Sequence, residues 1–168
     1  MKVKLIAALL YNTNDALDKA SQKLTKAFGP IDFQSLPLLF EVTTYYDAEM
    51  GAGLQRILLS FTQLISPADL PSIKHRTIEI EKSLADEAGH RSVNIDSGYL
   101  DFDKVVLGST KQGAYKLLMQ EDIWADMTLH YEKGHYHPFP WTFADFKDGR
   151  YDRYLMRIRE LYKKNPDK

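Results

Sequence analysis

From Val3 to Leu10 the chain is apolar apart from Lys4, and it runs directly into Asn12-Thr13-Asn14-Asp15. So short an apolar run, with no polar alternation, reads as a β-strand covered on both faces, and the residues after it carry helix-capping side chains. A buried strand feeding a helix requires layers on both sides of a sheet. The next apolar positions, Leu17, Ala20, Leu24, Ala27 and Phe28, recur at helical spacing, and Gly29-Pro30 supplies the stop.

Two further strands follow. "FQSLPLLFEV" is interrupted by Pro37 and suits a sheet edge, whereas "LQRILLSFTQLI" is more strongly apolar. Between them "TTYYDAEMGAG" is longer than a hairpin needs, which marks it as a candidate binding loop. Ser66-Pro67 opens a helix with Leu70, Ile73, Thr77, Ile80 and Leu84 on one stripe, expected to end near Gly89. "KVVLGST" reads as a strand, and the stretch from Tyr115 to Phe139 as two or three antiparallel strands. The chain then ends in an amphipathic helix with Tyr151, Tyr154, Leu155, Ile158 and Leu161 inward. The order β-α-β-β-α-β predicts an α+β fold with a ferredoxin-like antiparallel sheet, an added β-hairpin and a C-terminal helix, in one domain over residues 1–168. Folds of this kind host enzymes, RNA binders and regulatory modules alike, so function has to come from particular residues.

Composition removes several chemistries. The absence of cysteine excludes disulfides, thiolate catalysis and cysteine-ligated zinc, and it suits a reducing compartment. Twenty-two Lys and Arg against 23 Asp and Glu leave a net charge of -1, so no overall basic field draws in nucleic acid. The apolar core Leu5 to Leu10 is short for a signal peptide and no small-residue cleavage site follows it. Nothing approaches the ~18 apolar residues of a membrane span, and the expected location is the cytoplasm.

Residues 93–116 concentrate polar groups at both ends of one apolar strand. Asn94, Asp96, Ser97 and Gly98 carry turn chemistry, so Asn94 to Tyr99 is expected to be a rigid turn with Gly98 at positive φ. At the other end Ser109, Thr110 and Lys111 lie between Gly108 and Gly113, the parts of an anion cradle without the glycine-lysine order of a P-loop.

The stretch Asn94-Ile95-Asp96-Ser97-Gly98-Tyr99-Leu100 resembles the hallmark Asn-Leu-Asp-Pro-Gly-Tyr-Leu of an uncharacterised prokaryotic family catalogued as a domain of unknown function. The similarity extends through "VKLIAALLY", "FGPIDF", "YYDAEMG", "KHRT", "STK" and "FPWTFADF". Ser97 replaces the family's proline, and Ala114-Tyr115-Lys116 stands where a His-Arg pair is expected, which removes a catalytic histidine there. The resemblance brings no activity with it. It implies that "YYDAEMG", "NIDSGY", "STK" and "PWTFADF" share one surface, with Tyr45, Tyr46 and Glu49 facing Asn94, Asp96, Tyr99 and Lys111, and with Trp141 and Thr142 closing one side.

"HYEKGHYH" raises a metal question. A two-residue turn at Lys133-Gly134 would pair Glu132 with His135 and His130 with His137 on one face, with spacing suited to a divalent ion. The preferred reading is a solvated hairpin with Met127, Leu129, Tyr131 and Tyr136 packed inward, and no metal is assigned. His75-x-Thr77 is half of a phosphoesterase signature, but on a helix the two side chains diverge by about 200°. Lys74, Arg76 and Lys82 read as that helix's wet face.

These residues predict a pocket for an anionic small molecule, a nucleotide or another phosphorylated compound. Lys111 would supply charge, Ser109 and Thr110 hydrogen bonds, and Asp96 or Glu49 any proton transfer. Whether it is an enzyme is left open, and so is any cofactor. The competing expectation is a non-catalytic module that binds RNA or protein through an exposed sheet face.

Overall fold

The computed structural model describes residues 1–167 and contains one nine-stranded sheet with every pairing antiparallel. The strands are β1 (Val3–Tyr11), β2 (Ile31–Gln34), β3 (Leu38–Leu39), β4 (Gln55–Ile65), β5 (Val93–Leu100), β6 (Lys104–Ser109), β7 (Lys116–Gln120), β8 (Ile123–Glu132) and β9 (His135–Pro138). The helices are α1 (Asn14–Phe28), α2 (Asp47–Met50), α3 (Leu70–Ser83), α4 (Ala144–Lys147) and α5 (Asp152–Lys164). Along the sheet the order is β2-β4-β1-β5-β6-β8-β7, with β3 on the edge of β4 and β9 on β8. The class is mixed α+β. No helix among the described residues is long and apolar enough to cross a membrane.

β1 is buried along its whole length because both faces are covered. Leu5, Ala7, Leu9 and Tyr11 pack with Ala16, Leu17, Ala20 and Leu24 of α1 and with Ile73 and Ile80 of α3. Ile6 and Ala8 face the other way, into a core completed by Tyr154, Leu155, Ile158 and Tyr162 of α5. Lys4, the one charge in the strand, is buried and paired with Asp32 of β2. Local signals set the helix ends: Thr13 Oγ1 accepts from the Ala16 amide at 3.1 Å, and Gly29 closes α1 at φ 88°. Ser66 and Asp69 form a reciprocal capping box ahead of α3.

The segment Asn94 to Tyr99 is a strand, not a turn, and Gly98 is absent from the positive-φ glycines. The turn expectation fails because β1 supplies a partner for the full length of this segment, from Tyr11↔Val93 to Lys4↔Leu100. Its glycine serves close approach instead: a Cβ at Gly98 would lie 2.2 Å from the Val106 carbonyl oxygen.

That contact marks a fork. β5 pairs with β6 only at Gly98↔Leu107, Tyr99↔Val106 and Leu100↔Val105, and beyond this point the two strands separate. β6 then continues against β8. In the gap, side chains from α3 stand in for the missing strand: Lys74 Nζ donates to the Ile95 carbonyl at 2.8 Å, and Glu81 Oε1 accepts from the Ile95 amide. Lys74 is accordingly buried, 7% exposed, and does not belong to the wet face of α3.

Candidate functional site

The fork opens a cavity of about 420 Å³ that passes through the plane of the sheet. On the α3 side it is walled by Lys74, Ile78 and Glu81; on the opposite side lie Arg56 of β4, Asp96 of β5, and Phe143 and Phe146 around α4. Ser109, Thr110 and Lys111 at the end of β6 form one lip, and Tyr45 and Tyr46 the other. The tyrosine loop is held by Met50, which packs with Leu10, Phe40 and Leu54.

Buried charge organises the floor. Arg56, 2% exposed, donates from Nη1 to Asp96 Oδ2 at 2.8 Å and to the Ala8 carbonyl at 3.2 Å, and from Nε to Asp145 Oδ2 at 3.2 Å. Tyr151 also donates to Asp145, at 2.8 Å. Burial alone would raise the Asp96 carboxyl, but Arg56 and then Lys74 bring it below the usual carboxylate range. Burial prevails at Asp145 and Glu81, whose carboxyls are raised despite Arg56 and Lys74 respectively. Tyr46 is pushed up to about 12 by burial and by Asp96.

Five cationic side chains, Arg56, Lys74, Arg91, Lys111 and Lys116, line the cavity against three carboxylates, Glu81, Asp96 and Asp126. Three of the cations are in ion pairs: Arg56 with Asp96 and Asp145, Arg91 with Glu49 and Glu81, and Lys116 with Asp126 at 3.5 Å. Lys74 and Lys111 have no ion-pair partner among the described residues. Lys111 Nζ lies 4.5 Å from the centre of the Tyr45 ring and 3.2 Å from its hydroxyl.

Of the residues singled out from the sequence, Tyr45, Tyr46, Asn94, Asp96, Ser109, Thr110 and Lys111 come together on the cavity wall. Glu49 is one step removed: it receives Arg91 Nε at 2.7 Å and Nη2 at 2.9 Å and so aims that guanidinium at the cavity. Tyr99 does not line it. Alternation along β5 turns its ring away from the side of Asn94 and Asp96, into a cluster with Val3, Leu70 and Val106. Thr142 is buried, accepting from the Phe139 amide and donating to the Thr128 carbonyl, and Trp141 stacks between Tyr115 and Phe139. Both pin the loop that presents Phe143 and are not themselves in the lining.

The histidine hairpin has the expected register, Glu132↔His135 and His130↔His137. Two of its three imidazoles are occupied separately: His135 Nδ1 is 2.7 Å from Asp152, and His137 Nε2 is 3.0 Å from the Glu132 carbonyl. Met127 faces solvent rather than the core because a register shift between Val105 and Val106 inverts the alternation of β8, burying Thr128 instead. Among the described residues the one group whose ligand atoms converge is the surface set His75, Glu121 and Asp122.

Sequence reasoning overlooked Arg56, Lys74, Glu81, Arg91, Lys116, Asp126, Thr128, Phe143 and Phe146. Two signals were present. Arg56 is the one charged residue of its strand, and Lys74 and Glu81 fall on the same helical stripe as Leu70 and Thr77.

A family model described as "Domain of unknown function (DUF4416)" matches residues 1–162. No curated protein and no solved structure matches the chain.

Proposed function

The chain belongs to the DUF4416 family, a domain of unknown function, and from its cavity we propose that it binds an anionic small molecule, a nucleotide or another phosphorylated compound. The observation that carries this reading is that Lys74 and Lys111 both line the cavity while neither forms an ion pair with a carboxylate among the described residues. Lys74 is buried and Lys111 exposed, and an anionic ligand held between them offsets what the buried ammonium loses in leaving water. Ser109 and Thr110 add hydroxyls beside Lys111, and Tyr45, Tyr46, Phe143 and Phe146 add aromatic walls. Of the two carboxyls considered for proton transfer, Glu49 is committed to Arg91, and Asp96, held low by Arg56 and Lys74, is a weak base.

We also read residues 3–100 as a ferredoxin-like unit, supported by the element order β1-α1-β2-β4-α3-β5 and the sheet order β2-β4-β1-β5. An RNA module on this unit needs an open sheet face, and α5 packs on the face that α1 and α3 leave free. The lack of cysteine supports a cytoplasmic setting.

The test is a thermal-shift series with inorganic phosphate, sugar phosphates and nucleotides, each with and without divalent metal. A ligand at 100 times its Kd stabilises by about 2.7 kcal/mol. The expected result is a shift with at least one phosphorylated compound that Lys111→Met abolishes. No shift with any of them overturns the reading.

A further inference from the structure

Resting on that reading, we propose that the ligand is a nucleoside phosphate that enters base first. Its base edge meets Asn94 and Asp96, and its phosphate stays at Lys111 and Lys116. The starting point is an unsatisfied donor. Asn94 lines the cavity and is only 7% exposed. Its Oδ1 accepts from Arg91 Nη1 at 2.9 Å, and because a guanidinium can only donate, this contact fixes which end of the amide faces Arg91. The Nδ2 group is thereby directed elsewhere, and among the described residues it is buried with no hydrogen-bond partner. A buried donor left unmet in a protein interior points to something that completes it.

The acceptor lies beside it. Asp96, two residues along β5, gives Oδ2 to Arg56, and its side chain keeps 28% exposure. The Asn94 amide contributes to holding the Asp96 carboxyl down, so the two groups are neighbours, yet no hydrogen bond of proper geometry joins them. Together they offer one donor and one acceptor side by side. Nucleobase edges carry this complementary pair, an acceptor next to a donor.

Two further features separate a nucleotide from a simple sugar phosphate. Phe143 lines the cavity with 51% of its surface exposed, so a ring face is available to a flat base, while Tyr45 holds Lys111 at the mouth. The polar groups are also graded by depth. Asn94 is buried, whereas Lys111 and Thr110 are exposed, and Lys116, half-buried, donates to Ser109 Oγ at 2.9 Å. A ligand whose uncharged end lies deep and whose phosphate lies shallow satisfies every member of this series.

The experiment is isothermal titration of the full chain with inorganic phosphate, ribose 5-phosphate and the common nucleoside 5′-monophosphates. At least one nucleotide should bind about tenfold or more tightly than ribose 5-phosphate. Asn94→Ala should remove that margin while leaving ribose 5-phosphate affinity within about twofold, and Lys111→Met should weaken both. The melting temperature of unliganded Asn94→Ala reports a structural role separately. Should that variant not fold, Phe143→Ala, at an exposed position, must also shrink the margin. Equal binding of ribose 5-phosphate and every nucleotide overturns the nucleotide assignment and leaves the anion pocket standing, as does a loss in Asn94→Ala that falls equally on both. Failure of all the phosphates to bind overturns the pocket reading, and this inference with it.

Discussion

Gly98 and Val106 approach so closely where β5 meets β6 that a Cβ at position 98 would sit 2.2 Å from the Val106 carbonyl oxygen. The obstacle is backbone, so it cannot yield by changing a rotamer. Gly98→Ala has to push the strands apart at the fork, and we expect a loss of about 3 kcal/mol, the upper end for overpacking, read as a lower urea midpoint. Gly108→Ala is the comparison: its added methyl would meet the side-chain atoms Leu70 Cδ1 and Lys74 Cβ at 3.3 Å. Its cost should be about 1 kcal/mol.

Arg56 is a buried cation between Asp96 and Asp145, and replacing it by methionine leaves both carboxylates without it. A loss of about 3–5 kcal/mol at neutral pH is expected. The pH dependence carries a sign. Asp96, depressed in the folded state, contributes stability that is present above its unfolded value of about 3.9 and is lost as pH falls through the lower folded value. Asp145 and Glu81 are raised, so each contributes in the opposite direction: stability declines as pH climbs from the unfolded towards the folded value. Denaturation from pH 2 to 8 should therefore show a smaller acid-side loss from Asp96 in Arg56→Met and a steeper decline toward neutrality. Parallel curves for the two proteins would contradict this.

Lysines at the two ends of β6 should behave differently. Lys111 faces the cavity mouth over Tyr45, whereas Lys104 pairs with buried Asp101 at 2.5 Å where β6 begins. Lys111→Met should keep the wild-type melting temperature and lose phosphate-dependent stabilisation. Lys104→Met should lower the melting temperature slightly and keep ligand binding. Thermal melts of both variants with and without ligand check the pair.

Zinc should bind the histidine hairpin no more tightly than micromolar, because His135 is engaged by Asp152 and His137 by the Glu132 carbonyl. Titration with a competing chelating dye measures it. Submicromolar affinity lost in both His135→Ala and His137→Ala would show that the imidazoles rearrange to share an ion.

Features that depend on a few neighbouring residues could be read directly from the sequence. β1, the capped start and glycine stop of α1, the Ser66 cap and Pro67 before α3 and the register of the histidine hairpin all follow from local periodicity and turn chemistry. Seven of the 19 residues that line the cavity were also legible, since Tyr45, Tyr46, Asn94, Asp96 and Ser109 to Lys111 stand out by residue type. What remained hidden depends on which strand edges meet. Turn-forming residues at Asn94 to Gly98 become a strand because β1 lies alongside them, and tertiary pairing outweighs local preference. Lys74 and Glu81 look like surface charges until β5 and β6 diverge and leave an Ile95 amide and carbonyl that only α3 can reach. Tyr99, Trp141 and Thr142 have chemistry suited to a site, yet strand alternation and loop anchoring take them out of the cavity wall. Side-chain chemistry is a property of each residue, but convergence depends on where the sheet opens, and the contact of Gly98 with Val106 marks that place only in three dimensions.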